Sequence, residues 1–367
     1  MQKLLGERYF LLEEQVLSVW AFLTGLDLNL SVSSQFKKKH QLSDNLLEKF
    51  YPSISLSLDK VKIALDSILS ILVNLNVRII PKKKVSQLER FDSYWLIRCE
   101  DNFWFTSSYV VLATGKEGTY FLQQHIEQFQ LSSFRRGLEI GARLEFPIHS
   151  MTFQGTSHDR KILWKPSSFS GEEVRTFCWT FPGKSILCRY GDLYCIDGLE
   201  DSSSDFWSFG LMVRQKEISA EERRRNVDEL TKRQHSIFKG MPVAQKLDSF
   251  LQRESNIGEP DCSLQHFIQG NVEDLLGQTI SSRLRETIFV LMEHQIIPKI
   301  ISGCTIIAPC LGVWSDILHL NDDLETSAPN LFAVGDCVGS YRGSFQASLA
   351  GWVVGESIAQ KIKCQNH

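Results

Sequence analysis

The sequence predicts an α/β protein, built on a parallel sheet with a meander of short strands beside it and a second, strand-rich region inserted between its parts. Three observations carry that prediction. Tyr109-Val110-Val111-Leu112-Ala113 is continuously apolar and runs into Thr114-Gly115, the pattern of a strand buried on both faces of a parallel sheet. Asn330-Leu331-Phe332-Ala333-Val334-Gly335-Asp336, followed by Gly339, Arg342-Gly343 and an apolar run to Ile362, reads as strand, glycine turn and helix. Between these segments, Gly171 to Trp207 is strand-like, with Val174 to Trp179, Ser185 to Arg189 and Leu193 to Ile196 grouped around Pro182-Gly183 and Asp197-Gly198.

The remaining elements follow in chain order. From Leu11 to Leu28, Leu12, Val16, Val19, Phe22 and Leu23 recur near helical spacing until Gly25 breaks the pattern. A second amphipathic helix is expected from about Ser57 to Leu75, with Leu58, Val61, Leu65, Ile68 and Leu72 as its packing stripe. Val77–Ile80, Val85–Leu88, Tyr94–Cys99 and Phe103–Phe105 form the meander. Ser219-Ala220-Glu221-Glu222 is a capping box, since the serine hydroxyl and the glutamate three residues on satisfy N–H groups left open at a helix start. That helix should run to about Phe238, with Arg223-Arg224-Arg225 on a solvated face rather than in a phosphate site.

Composition narrows the function classes. A chain of 367 residues, 43% hydrophobic and 23% charged, has ample capacity for a core. Lys+Arg 40 against Asp+Glu 43 leaves no electrostatic footprint for nucleic-acid binding. The nine cysteines are odd in number and contain no C-x-x-C pair, and Glu7 and Arg8 interrupt any signal-peptide pattern, so a reducing cytoplasm is the expectation. Ile288 to Trp314, the most apolar long stretch, is broken by Glu293, His294, Gln295, Pro298 and Lys299, so no membrane span is expected.

The segment around Asp336 is the richest in chemistry. Its carboxylate should stand at the carboxyl end of a buried strand, where α/β sheets place ligands, and an isolated carboxylate there is costly unless something bonds it. Gly343, Ala347, Gly351 and Gly355 fall four apart, so one ridge of the following helix carries almost no side chain. The first turn of that helix, with Gly343 and Ser344 at its start, offers unpaired N–H groups to a phosphate or an electron-rich carbonyl. A tight strand–helix packing explains the same residues without a ligand.

Leu331-Phe332-Ala333-Val334-Gly335-Asp336 with Arg342-Gly343-Ser344-Phe345-Gln346-Ala347 and Gly351 closely resembles the closing FAD motif of two-dinucleotide-fold flavoproteins, and Val110-Val111-Leu112-Ala113-Thr114-Gly115-Lys116-Glu117-Gly118 resembles their strand ending in A-T-G. Within that group the chain resembles the FAD-dependent dehydrogenases, or NAD(P)/FAD-dependent oxidoreductases, through Gly141-Ala142-Arg143-Leu144-Glu145 and Phe177-Cys178-Trp179-Thr180-Phe181-Pro182-Gly183-Lys184 as well. The resemblance covers most of the chain from about Leu65. It implies a Rossmann-like FAD-binding domain from residues 1–145 and 300–367, with an inserted substrate domain at 146–299. It also implies FAD as cofactor, NAD(P)H as a possible electron donor, and hydride transfer to or from a small-molecule substrate. Ala113, Thr114, Gly115, Gly335, Asp336, Arg342, Gly343 and Ser344 would bind the cofactor, with Asp336 accepting a hydrogen bond from its ribityl chain.

The chain departs from that family in two places. No strand followed by G-x-G-x-x-G, the turn that holds the pyrophosphate, occurs anywhere in it, and Lys184 replaces the second glycine of the family's P-G-G. The Rossmann-like domain is therefore expected to be incomplete. A partner chain supplies the missing half, or the recorded start lies inside a longer, truncated reading frame, or the chain is a non-catalytic interaction subunit without FAD. No catalytic acid or base stands out. Cys178 is a redox-thiol candidate by its place in the family element, with a buried structural cysteine as the alternative. Cys178, Cys188 and Cys195 lack zinc-knuckle spacing, so no metal is expected. His149 and His158 are candidate proton donors, and Trp179, Phe181 and Trp207 belong either to a substrate cavity wall or to an aromatic core.

Overall fold

In a computed structural model, residues 8–25, 39–52, 56, 58–150, 158–165, 172–215, 217–254, 258–312, 316–341 and 343–365 are described. The chain runs through α1 (Arg8–Thr24), β1 (Lys39–Ser43), β2 (Leu46–Pro52), α2 (Leu58–Asn74), β3 (Val85–Arg90), β4 (Trp95–Cys99), β5 (Trp104–Ser107), β6 (Val110–Leu112), α3 (Thr119–Gln128) and β7 (Ser133–Phe134). Next come β8 (Glu139–Pro147), β9 (His158–Trp164), β10 (Glu173–Thr180), β11 (Gly183–Tyr190), β12 (Leu193–Glu200), β13 (Phe206–Arg214) and α4 (Ala220–Phe238). The remainder is β14 (Val243–Lys246), α5 (Leu247–Gln252), β15 (Ile268–Gln269), α6 (Val272–Leu276), α7 (Gln278–Glu293), β16 (Thr305–Gly312), β17 (Ile317–Leu318), β18 (Leu331–Ala333) and α8 (Ser344–Gln365).

Two compact units divide the chain. The first is Met1–Leu28, Leu58–Arg136 and Trp314–His367, and the second is Asn29–Ser57 and Gly137–Val313. These lines differ from the expected 145/146 and 299/300 because β8 and β16 pair with each other, and β8 with β13, inside the sheet of the second unit. The β1–β2 hairpin, invisible to the sequence reading, joins the same sheet through β2 and β9.

In the first unit the parallel pairing is Leu331↔Val110, Phe332↔Val111 and Ala333↔Leu112, between β18 and β6. The meander is a three-stranded antiparallel sheet, β3-β4-β5, while 77–80, expected as a strand, has no regular structure. The core joins Leu12 and Val16 of α1, Leu88, Trp95 and Ile97 of the meander, β18 and the Leu349-Ala350 and Val353-Val354 ridge of α8. Two expectations of burial fail. Val111 is 39% exposed, and of the expected α2 stripe Val61 and Leu65 are exposed and Ile68 and Leu72 half-buried, while the side chain of Leu58 lies outside the described residues; Leu69 and Val73 continue the exposed row.

His125 on α3 is fully buried. Its Nε2 accepts from the Leu88 N–H at 3.1 Å and its Nδ1 donates to the Phe121 carbonyl at 2.6 Å, which selects the Nδ1–H tautomer. Burial pushes its pKa down, so the folded chain holds this imidazole neutral. The unfolded chain takes up the proton first as pH falls through about 6.5, so stability from this site is present above that pH and lost below it. In urea titrations at about pH 7.5 and 5.5, wild type should lose more of its midpoint on acidification than His125→Gln does. Parallel losses would show that His125 does not titrate against folding.

The second unit is a nine-stranded sheet in the order β1-β2-β9-β10-β13-β8-β16-β14-β15, antiparallel except between β14 and β15. Its apolar face, with Ile140, Ala142, Leu144 and Phe146 from β8, packs with α4, α6 and α7 residues such as Leu230, Leu275 and Leu284. Trp179, Phe181 and Trp207 belong to this core: Trp179 stacks on Phe209 at 4.2 Å, and Phe181 on Trp207 at 5.6 Å. The serine half of the capping box is present, with Ser219 Oγ accepting from the Glu222 N–H at 3.1 Å, and α4 ends at Phe238 as expected. Arg223, expected on a solvated face, is buried and donates from Nη1 to the Ile218 carbonyl. The residue lies one turn into the helix on the same side as Val227 and Leu230, so its stem packs while its head finds a carbonyl.

Candidate functional site

Parallel pairing puts the carboxyl ends of β6 and β18 at one edge, and both lead into turns. Val334 N–H donates to the Leu112 carbonyl at 2.9 Å, which continues the pairing one step past β18. Gly335 then takes φ 76° and ψ −155°, a region open essentially to glycine alone, and this rotation starts the turn that carries Asp336. Asp336 is half-buried, and its Oδ1 lies 3.4 Å from the Gly343 amide nitrogen just before α8. The Cys337 thiol donates to the Val334 and Leu112 carbonyls and contacts Thr114 and the Thr114-Gly115 backbone. Burial pushes that thiol's pKa up, so it is a neutral donor rather than a nucleophile.

The structure therefore brings Thr114, Gly115, Gly335, Asp336, Cys337 and Gly343 together. Ala113 and Thr114 are exposed where β6 ends, and Gly343 and Ser344 are exposed at the start of α8. Arg342 lies outside the described residues. Gly343, Gly351 and Gly355 have no atom of another element within 4 Å of the position a Cβ would take. Ala347, the fourth member of that ridge, packs toward the turn, 3.6 Å from the position a Cβ on Gly335 would take, so the ridge is close to the turn at Ala347 and open at the three glycines. Chemically, the edge offers a carboxylate acceptor, the amide donors of a helix's first turn and a glycine backbone with no side chain over it.

Cys178 belongs to the second unit. It sits at φ 49° in a bulge of β10, opposite β13, with its carbonyl accepting from Arg143 Nη2 at 3.0 Å. Lys184 pairs with Asp201 at 2.6 Å. His149 is exposed, and the side chain of His158 lies outside the described residues. Among the described residues no group of three or more His, Cys, Asp or Glu could hold a metal ion, and no helix is long and apolar enough to cross a membrane.

A polar network on the other face of β8 escaped the sequence reading. Glu139, Arg143 and Glu145 are all fully buried. Arg143 donates to Ser208 Oγ, Thr180 Oγ1 and the Cys178 carbonyl. Glu145 accepts from Ser185 Oγ at 2.6 Å, from Ser263 Oγ at 2.8 Å and from the Ser263 N–H. Burial alone would raise the Glu139 pKa, but Arg175 and Arg214 beside it hold it down at about 2. Gly312 leaves room for this carboxylate, since a Cβ there would stand 2.9 Å from Glu139 Oε2. The strict alternation of polar and apolar residues from Glu139 to Phe146 was the available signal. It normally marks one wet face, and here the β11–β12 hairpin and the 261–264 segment cover that face.

No protein-family model matches the chain, and no curated protein matches it. Solved structures do. Tetracycline destructase Tet(51) matches at 10% identity and a TM-score of 0.29, over 81% of this chain and 55% of that one. A putative FAD containing monooxygenase from Photorhabdus luminescens subsp. laumondii TTO1 matches at 12% and 0.31, over 80% and 61%. The 2,6-dihydroxypyridine-3-hydroxylase from Arthrobacter nicotinovorans matches at 9% and 0.31, over 96% and 70%. The chain spans about half the length of Tet(51) and of others among these structures. At these scores the likeness assigns no chemistry, and the site is argued from its own residues.

Proposed function

We propose that the chain is the larger part of a FAD-dependent oxidoreductase that moves a hydride between a small substrate and the flavin. The observation that carries this reading is the shared edge of β6 and β18, where Thr114-Gly115, Gly335-Asp336 and the start of α8 meet. The donor set suits the ribityl and isoalloxazine side of FAD: Asp336 would accept from a ribityl hydroxyl, and the amides of Gly343 and Ser344 would face electron-rich oxygens. When bound, the flavin supplies the hydride chemistry, and the protein's part is to orient substrate and exclude water. A dehydrogenase reaction with NAD(P)H as donor belongs to the same proposal.

Nothing in the sequence suits the pyrophosphate, and a polypeptide carrying strand–G-x-G-x-x-G–helix is proposed to supply that half. A second reading, an interaction subunit without FAD, draws on the exposed row of α2 and on Val111. Titration of the purified chain with FAD, followed by flavin fluorescence, separates the two. Weak binding alone is expected, tightening at least about tenfold, or ~1.4 kcal/mol, when a polypeptide carrying strand–G-x-G-x-x-G–helix is added. No binding in either condition would leave the interaction subunit. Stoichiometric FAD on the unaided chain would remove the need for a partner.

A further inference from the structure

The β11–β12 hairpin runs unbroken through eight pairs, from Gly183↔Glu200 to Tyr190↔Leu193, and turns on Gly191-Asp192. One of those pairs is Cys188↔Cys195. We propose that Cys188 and Cys195 are an oxidative modification site, closing to a reversible cross-strand disulfide when the protein meets hydrogen peroxide. The register supports it directly. Residues opposite one another in an antiparallel ladder present their side chains on the same face. In a two-residue hairpin the closing pair, Tyr190↔Leu193, exchanges both backbone bonds. Cys188↔Cys195, two pairs on, is of the same kind and has its Cα atoms about 5.5 Å apart. That Cα separation lies inside the range a disulfide spans, while the Cβ atoms of such a pair, about 5 Å apart, must draw closer for the bond to close, which leaves it readily reduced.

Exposure sets the order of events. Both residues are thiols in the structure, Cys188 half-exposed and Cys195 buried. Peroxide reaches Cys188 first. The Cys188 sulfur attacks one peroxide oxygen and the O–O bond breaks, which leaves a sulfenic acid and releases water once the departing hydroxide takes the thiol's proton. Cys195 then attacks the sulfenic sulfur. The S–S bond forms, the S–O bond breaks, and a second water leaves with the Cys195 proton. Two thiols lose two electrons and the peroxide gains them.

Three thiols elsewhere, half-buried Cys262 and buried Cys304 and Cys337, are held protonated. Burial pushes Cys262 and Cys304 up to about 12, and raises Cys337 as well. The consequence falls on the hairpin itself. Gly198 of β12 lies against the Arg143 guanidinium, and Ser185 of β11 bonds Glu145. A staple between the two strands fixes the cover over the buried polar face of β8.

The test is a peroxide titration of the whole chain, quenched by alkylation in denaturant and digested with trypsin without reductant. Cleavage after Lys184, Arg189 and Arg214 places Cys188 in residues 185–189 and Cys195 in 190–214. The expected main product is these two peptides joined, two mass units lighter than their sum and separated by dithiothreitol. In Cys188→Ser the joined species should vanish while Cys195 remains alkylatable. Cys195→Ser, which also tests whether either variant merely misfolds, should instead leave Cys188 to proceed to sulfinic acid. Recovery of Cys188 and Cys195 as alkylated thiols, at a peroxide dose that oxidises the exposed Cys364, would overturn the proposal. So would Cys188 joined to any other cysteine.

Discussion

Replacing Glu139 by glutamine should cost the second unit about 3–5 kcal/mol, the range for removing one partner of a buried ion pair. Glu139 is fully buried on β8 and accepts from Arg175 Nε at 3.2 Å and Arg214 Nε at 2.6 Å, with Arg175 Nη2 on its other oxygen. Arg175 is itself buried, while Arg214 is also held by Glu173. Glutamine keeps one acceptor oxygen, turns an NH2 group toward a guanidinium and leaves the Arg175 charge uncompensated. Its effect carries a pH signature. Glu139 titrates near 2 when folded, against about 4.5 as its ordinary value. The stability it contributes is therefore present above about pH 4.5 and lost as pH falls toward 2, on the order of 3 kcal/mol in all. Urea midpoints of wild type and Glu139→Gln should differ most at neutral pH and converge near pH 2–3. A constant gap across that range would mean that shape rather than charge sets the cost.

That network also marks where sequence reading stops. Local signals were legible: the Ser219 cap, the glycine turn after β18 and three of the meander's strands depend on residues a few positions apart. Gly335 could be placed in a turn from its neighbours alone, and its positive φ agrees. Pairing between distant strands was not legible. β8 and β16 are more than 150 residues apart, and nothing in either segment names the other, so one expected domain boundary cuts through β8 and the other falls before β16 rather than after it. The alternation of β8 specified two faces, but only the hairpin folded over it decides that the polar face is dry. The expected α2 stripe fails in the opposite sense, with Val61 and Leu65 exposed and Ile68 and Leu72 only half-buried. Its periodicity states that a partner surface is wanted, which no periodicity can supply, and the described residues leave it open. For the candidate site, residues 113–115 and 335–336 were named separately and the parallel register brings them to one edge. The Cys337 thiol, which touches both segments, carried no motif to reveal it.

Asp336 carries the largest expected effect on ligand binding. If its carboxylate accepts a hydrogen bond from a ribityl hydroxyl in the assembled protein, Asp336→Ala removes a charge-assisted bond of roughly 1.5–3 kcal/mol, and FAD affinity should fall about ten- to a hundredfold. A purely structural Asp336 predicts something else. Its Oδ1 already lies 3.4 Å from the Gly343 amide, so alanine would then cost about 0.5–2 kcal/mol, as loss of a helix-start cap does, with no dependence on flavin. Melting each protein with and without excess FAD, in the presence of the complementary polypeptide, separates the two, because a ligand that binds only the folded state raises the melting temperature according to its affinity. Wild type should gain several degrees from FAD and Asp336→Ala much less. Asp336→Asn keeps the side chain's volume and an acceptor oxygen without the charge, and should fall between them. Equal FAD-induced shifts in all three would take Asp336 out of the cofactor site.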